Sequence, residues 1–203
     1  MTQTVEFILD VGAPNGYLAW YPLHDLIART GAELVVTPVF LGGMHKLTGN
    51  APPMHRDAEV KGKVEYAELE FHRFIARHGL THFRMHPDLP FNSILPQRCL
   101  VAADSEQERQ TMADALLRAI WESNIDCRDP DAVRACLDEA GFDGLALIAR
   151  TQDDAIKQTL ADNTSRAVER GAFGIPTFFV GDEMWFGKER LEQVERYLDC
   201  GKA

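Results

Sequence analysis

The sequence predicts an α/β fold whose sheet-forming halves are separated by a run of helices. Three observations carry this. The apolar run Val5-Glu6-Phe7-Ile8-Leu9 is followed, after Pro14, by Tyr17, Leu18, Trp20, Tyr21, Leu23, Leu26 and Ile27 at helical spacing. A second strand-like run, Leu34-Val35-Val36 with Val39-Phe40, comes directly after that helix. Near the other end, Pro176-Thr177-Phe178-Phe179-Val180, the turn Gly181-Asp182-Glu183 and Met184-Trp185-Phe186 read as a hairpin.

Taken in order, a strand over about 5–10 leads into a helix over about 14–29, with Pro14 in its first turn, where a missing N–H is no loss. Gly31 closes that helix as a C′ residue. The strand within Ala32 to Phe40 completes a right-handed parallel βαβ unit. From Leu41 to about Val60 the chain reads as irregular, an ordered loop rich in Gly, Asn and Pro. Helices are expected over Val64–His78, Leu95–Ala103, Gln107–Trp121, Asp131–Ala140, a short stretch near 143–150, and Gln152–Arg170. Gly187 then leads into a last helix, Lys188 to Leu198. A βαβ unit at one end and a ββα unit at the other complete one mixed four-stranded sheet. The fold is therefore thioredoxin-like with an inserted all-helical domain. The expected limits are 1–60 and 171–203 for the thioredoxin-like domain and 61–170 for the insertion.

Composition bounds the function. A chain of 203 residues, 45% hydrophobic and 26% charged, buries one sizeable core with room for a satellite. The net charge of −10 argues against nucleic acid or an anionic membrane surface as partner. No apolar run is long enough to span a bilayer, and Met1-Thr2-Gln3-Thr4-Val5-Glu6 has no signal-type pattern, so a cytoplasmic location is expected. The four cysteines, Cys99, Cys127, Cys136 and Cys200, form no C-x-x-C pair, and the seven histidines lack ligand spacing. No metal is expected.

Chemistry concentrates at Asp10-Val11-Gly12-Ala13-Pro14-Asn15-Gly16-Tyr17. A strand running into a helix N-terminus leaves unpaired N–H groups and the positive end of the helix dipole at the sheet's edge. That place suits a carboxylate or thiolate, and a plain βα turn is the alternative. Gly174-Ile175-Pro176-Thr177 is its counterpart. A cis Ile175–Pro176 bond there would aim the Ile175 backbone at an extended peptide, whereas a trans bond would make it an ordinary strand start.

These segments, with Pro38-Val39-Phe40-Leu41-Gly42-Gly43, Gly49-Asn50-Ala51-Pro52-Pro53, Pro90-Phe91-Asn92-Ser93, Asn163-Thr164 and Phe186-Gly187-Lys188-Glu189-Arg190-Leu191, recur in one order along nearly the whole chain. In that respect the sequence resembles the 2-hydroxychromene-2-carboxylate isomerase family and the kappa-class glutathione transferases, which share a DsbA-like fold. The resemblance implies bound glutathione, with its thiol near Ala13 and Pro14 and its cysteinyl backbone paired with Ile175 before Pro176. Asn50 and a lysine of the pair Lys61 and Lys63 would hold the glycyl end. The turn Gly187-Lys188-Glu189-Arg190 would hold the γ-glutamyl end through backbone N–H groups and an acidic side chain. It also implies a homodimer and a small-molecule aromatic substrate.

One position departs from the family. Where relatives carry a serine that activates the glutathione thiolate, this chain has Ala13. The two positions that bear cysteines in redox relatives are Ala13 and Gly16, so thiol–disulfide chemistry by the protein itself is not expected. Asn15 offers a substitute donor on the same turn, or else it caps the helix or faces solvent. Trp20, Trp121, Phe173 and Trp185 read as core, with pocket lining the alternative. His45 and Lys46 read as surface residues able to meet an acid, and Asn92 and Ser93 as caps of the next helix. The function expected is a glutathione-dependent isomerase acting on a conjugated acid of aromatic degradation. A kappa-like transferase and a catalytically impaired glutathione- or peptide-binding relative are the alternatives.

Overall fold

The computed structural model describes residues 2–201, so positions 1, 202 and 203 of the expected thioredoxin-like domain lie outside the described residues. Strand β1 (Thr4–Leu9) leads to α1 (Pro14–Thr30) and β2 (Glu33–Pro38). Helices α2 (Leu41–Thr48), α3 (Pro53–Arg56), α4 (Lys63–His78), α5 (Ile94–Val101), α6 (Glu106–Trp121), α7 (Pro130–Glu139), α8 (Gly144–Arg150) and α9 (Asp154–Glu169) follow. The chain returns through β3 (Thr177–Val180) and β4 (Glu183–Phe186) to a 3-10 turn, Lys188–Arg190, and α10 (Leu191–Cys200). The four strands form one sheet in the order β2-β1-β3-β4. β1 pairs parallel with β2 (Phe7 opposite Val36) and antiparallel with β3 (Phe7 opposite Phe178), and β4 adds antiparallel to β3 (Phe178 opposite Trp185).

The two-residue period of β1 divides the interior. Phe7, Leu9 and Val11 join Phe178, Trp20, Leu116, Ile120 and Trp121 in the larger core, which takes in α1, α6 and α10. Phe7 stacks on Phe178 with ring centroids 5.3 Å apart. Ile8 points to the opposite face, against Ala13, Val39, Met44, Ala167, Ile175 and Phe179 under α2 and α9. The larger core also takes in Val133, Leu137 and Leu147 of the helical segment, so strands and inserted helices share one continuous interior.

Two expectations need correction. The stretch 41–60 is not irregular, because it contains α2 and the single turn α3. Tertiary contacts make α2 a helix: Met44 is fully buried, and the N–H of Leu41 donates to the Asp10 carboxylate at 2.7 Å. Gly42 is required because a Cβ there would lie 2.7 Å from the Phe40 ring. The last helix also starts later than Lys188, after a 3-10 turn. Elsewhere the observed ends lie within a few residues of those expected.

Candidate functional site

The turn from β1 into α1 is held by its own backbone, the Ala13 N–H donating to the Asp10 carbonyl at 3.0 Å, by the Asp10 side chain and by side chains from elsewhere. The Gln97 carboxamide on α5 accepts from the Val11 N–H at 3.1 Å and donates to the carbonyls of Leu9 at 2.7 Å and Val39 at 2.6 Å. One side chain thereby ties together the C-terminal ends of β1 and β2. The Val11 carbonyl accepts from the indole N–H of Trp121 at 2.8 Å. The Asp10 carboxylate, fully buried, accepts from Gly12 N–H at 2.8 Å and Leu41 N–H at 2.7 Å, and the Ser93 hydroxyl bonds to it as well. Burial pushes the Asp10 carboxyl above its ordinary value, while the Leu41, Ser93 and Gly12 bonds pull the other way. Gly12 leaves room for this arrangement, since a Cβ there would lie 2.8 Å from that of Ser93. The N-cap position of α5 is Ser93, which makes no side-chain cap bond and bonds Asp10 instead; Asn92, one residue earlier, accepts from the Ile94 N–H at 2.8 Å.

On this frame Ala13 is the N-cap of α1 with extended backbone and no side-chain cap, and Pro14 follows at the first helical position. The Asn15 N–H has no acceptor among the described residues, as is usual in a first helical turn. The inner oxygen of the Asn15 carboxamide is buried without a partner, so this side chain does not cap the helix. Ala13 is 4% exposed and packs in the same apolar cluster as Ile175. A Cβ on Gly16 would lie 3.6 Å from Ile175 Cγ2, which brings the α1 turn and the Ile175–Pro176 loop side by side. That peptide bond is cis, as is Leu89–Pro90. The Pro176 carbonyl accepts from Gly187 N–H at 2.9 Å, placing the 187–190 turn next to the loop. The structure therefore brings together Ala13, Pro14, Asn15, Ile175, Pro176 and Gly187.

Of the remaining candidates, several are already engaged. Asn50 donates to the Phe173 carbonyl at 2.7 Å, so its carboxamide joins the end of α2 to the loop before Ile175. Lys63 pairs with Asp57 at 2.8 Å, and Arg56 grips the same carboxylate. These two cations hold the Asp57 carboxyl well below the usual carboxylate range. Lys61 is exposed. His45 is half-buried, and burial with Arg56 nearby lowers its pKa, while Lys46 is exposed. Lys188 is buried and paired with Glu189, and Arg190 is exposed. Trp20 and Trp121 belong to the core, whereas Phe173 and Phe186 lie half-open beside the loop with ring centroids 4.4 Å apart.

No cysteine lies on the α1 turn. Burial pushes the thiols of Cys99 and Cys127 up to about 12 and that of Cys136 to about 11, and Cys200 is exposed at the end of α10. Among the described residues no group of side chains could hold a metal ion, and no helix is long and apolar enough to cross a membrane.

A family model described as a DSBA-like thioredoxin domain matches residues 4–199. The chain belongs to this DSBA-like family. Within it, the chain is similar to 2-hydroxychromene-2-carboxylate isomerase of Sphingobium xenophagum, 29% identical over 98% of this chain and 99% of that one. It is also similar to glutathione S-transferase kappa 2 of Caenorhabditis elegans, 26% identical over 97% of this chain and 92% of that one. A solved 2-hydroxychromene-2-carboxylate isomerase structure superimposes with a TM-score of 0.83 at 25% identity, covering 97% of this chain and 95% of that chain. The sequence reading missed Asp10, Gln97, Trp121 and Ser93 as the frame of the α1 turn. The one available signal was a lone Gln amid the apolar run Ile94-Leu95-Pro96-Gln97.

Proposed function

We propose that the protein is a glutathione-dependent isomerase of the 2-hydroxychromene-2-carboxylate isomerase type, acting on a conjugated acid derived from an aromatic ring. The carrying observation is the full-length likeness to such an isomerase, 29% identical from end to end. The residues of the turn fit a small thiol peptide: the Asn15 N–H is unpaired, and the cis-proline loop lies alongside. When bound, glutathione supplies a nucleophilic thiolate.

The work of the chain's own residues is binding and orientation. The first turn of α1 offers N–H groups and a positive dipole end, which stabilise an anion there. Asn15, free of any capping bond, takes the donor role that a serine has in relatives. Ile175 serves as a backbone rung for the cysteinyl unit. Asn50, Lys61 and Lys63 are assigned to the glycyl carboxylate, and Lys63 must share itself with Asp57. Gly187, Lys188, Glu189 and Arg190 serve the γ-glutamyl end. Because the turn carries no thiol, thiol–disulfide exchange by the protein itself is not part of this reading.

Ala13 favours a second reading, a relative that holds glutathione without activating it. The likeness to a kappa transferase supports a third, in which glutathione is a consumed co-substrate. Calorimetric titration with glutathione, run beside thiolate absorbance of the bound ligand across pH, separates the first two. A bound thiol pKa well below the free value supports the isomerase. An unshifted value supports the holding role, and absence of binding overturns every glutathione reading.

A further inference from the structure

The tetrapeptide Gly187-Lys188-Glu189-Arg190 follows an edge strand and carries three charged residues, so all three side chains are expected in solvent. Lys188 is not. Its side chain is 7% exposed, against 51% for Glu189. An ammonium withdrawn from water must be compensated by an anion or an equivalent partner. Lys188 has both kinds. Its Nζ pairs with the Glu189 carboxylate and stands 5.0 Å from the Phe74 ring centroid and 5.7 Å from that of Phe71, both on α4.

The pairing also orients Glu189. Its Oε1 meets Lys188, while its Oε2 turns back over Gly187, 3.1 Å from where a Cβ would stand. Gly187 has φ +103, in the region that favours glycine, and it leaves space for the carboxylate. Its N–H donates to the Pro176 carbonyl, so the carboxylate is fixed one residue-contact away from the cis-proline loop. A carboxylate accepts several hydrogen bonds, and half of this one stays open to a further donor. Lys188 and Glu189 line a hollow of about 200 Å³ between α4 and the start of α10, together with the ion pairs Arg73–Glu70 and Arg77–Glu192.

We propose that Lys188 is a positioning residue for recognition of the γ-glutamyl α-ammonium of glutathione: caged by Phe71 and Phe74, it fixes the Glu189 carboxylate that takes that ammonium. The inference rests on the glutathione reading above and deepens it. Lys188 itself does not touch the ligand. A lysine that merely anchors α4 would affect every ligand alike, whereas one that acts through Glu189 affects only ligands bearing the ammonium.

The test compares glutathione with glutaryl-cysteinyl-glycine, which lacks only that ammonium, in calorimetric titrations of the wild type, Lys188→Met, Lys188→Arg, Glu189→Gln and the Lys188→Met/Glu189→Gln double variant. Wild type is expected to prefer glutathione. Lys188→Met, which keeps an apolar stem against the two rings, is expected to lose about tenfold on glutathione and nothing on the analogue, a size typical of a charge-assisted bond. Lys188→Arg restores the preference, and the double variant is no weaker than Glu189→Gln alone. Equal losses on both ligands, or none on glutathione, overturn the role assigned to Lys188. A wild type that binds both ligands equally also overturns it while leaving the glutathione reading intact. A wild type that binds neither ends both.

Discussion

The indole N–H of Trp121, the last residue of α6, donates to the carbonyl of Val11 at 2.8 Å, in the turn that opens α1. A residue of the helical segment thus completes the backbone hydrogen bonding of the candidate site. Trp121 is fully buried, with its ring stacked on Phe83 at 5.8 Å. Replacing it with Phe retains most of that packing and orphans the carbonyl. The expected cost is about 1–3 kcal/mol, the penalty for a buried acceptor left without a donor. Urea denaturation of Trp121→Phe checks it, and weaker glutathione binding should accompany the loss because the turn is no longer pinned.

Gln97 carries a heavier load than Trp121. Its single carboxamide satisfies Val11 N–H and the carbonyls of Leu9 and Val39. Gln97→Met preserves volume and leaves the Val11 N–H and the Val39 carbonyl unpaired, while the Leu9 carbonyl keeps the Val39 N–H at 3.0 Å, so a loss of roughly 2 kcal/mol or more is expected. A variant as stable as wild type in chemical denaturation would mean that the strand ends find other partners.

What could be read from the sequence was what local pattern dictates. β1, α1 and the β3–β4 hairpin each announce themselves by buried runs or helical periodicity, with Pro14 and Gly31 marking the helix ends. α2 could not be read that way. Gly42-Gly43 is poor helix material, and the helix exists because Met44 is buried and distant groups occupy its N-terminus: Asp10 at Leu41 and the Thr164 hydroxyl at the Phe40 N–H, 3.0 Å. The same holds at the site. Ala13, Pro14 and Ile175 lie on local motifs, but Gln97 is 88 positions from the Leu9 carbonyl it serves, and no periodicity encodes that contact. The ligand turn that the resemblance implies at Gly187-Lys188-Glu189-Arg190 says nothing of the two phenylalanines beside the Lys188 ammonium.

Restoring the family's hydroxyl tests how far the turn is otherwise intact. Ala13 is 4% exposed, and its methyl lies in the cluster with Ile175. A serine hydroxyl there can donate to a bound thiolate. Ala13→Ser is expected to lower the bound thiol's pKa by about one unit, which is about a tenfold gain in thiolate at pH below that pKa. Absorbance titration of the complex measures the shift directly. An unchanged pKa would count against placing the thiol at Ala13.

Asp10 gives a prediction with a definite sign in pH. Its carboxyl is fully buried, and desolvation outweighs the bonds from Leu41, Ser93 and Gly12, so its folded pKa lies above the ordinary aspartate value of 3.8. Between the unfolded and folded values the native state holds the extra proton, so its contribution is full below 3.8 and is lost as pH rises through the raised folded pKa. Asp10→Asn cannot titrate, and with one carbonyl oxygen it cannot serve both Gly12 N–H and Leu41 N–H. The variant is therefore expected to be less stable by about 1–3 kcal/mol at acid pH, for the orphaned donor. The gap should narrow as pH rises, because only the wild type must then ionise a buried carboxyl. Urea denaturation of both proteins from mildly acid to neutral pH decides it: a gap that widens with pH would mean that the three hydrogen bonds outweigh burial and hold the Asp10 pKa low.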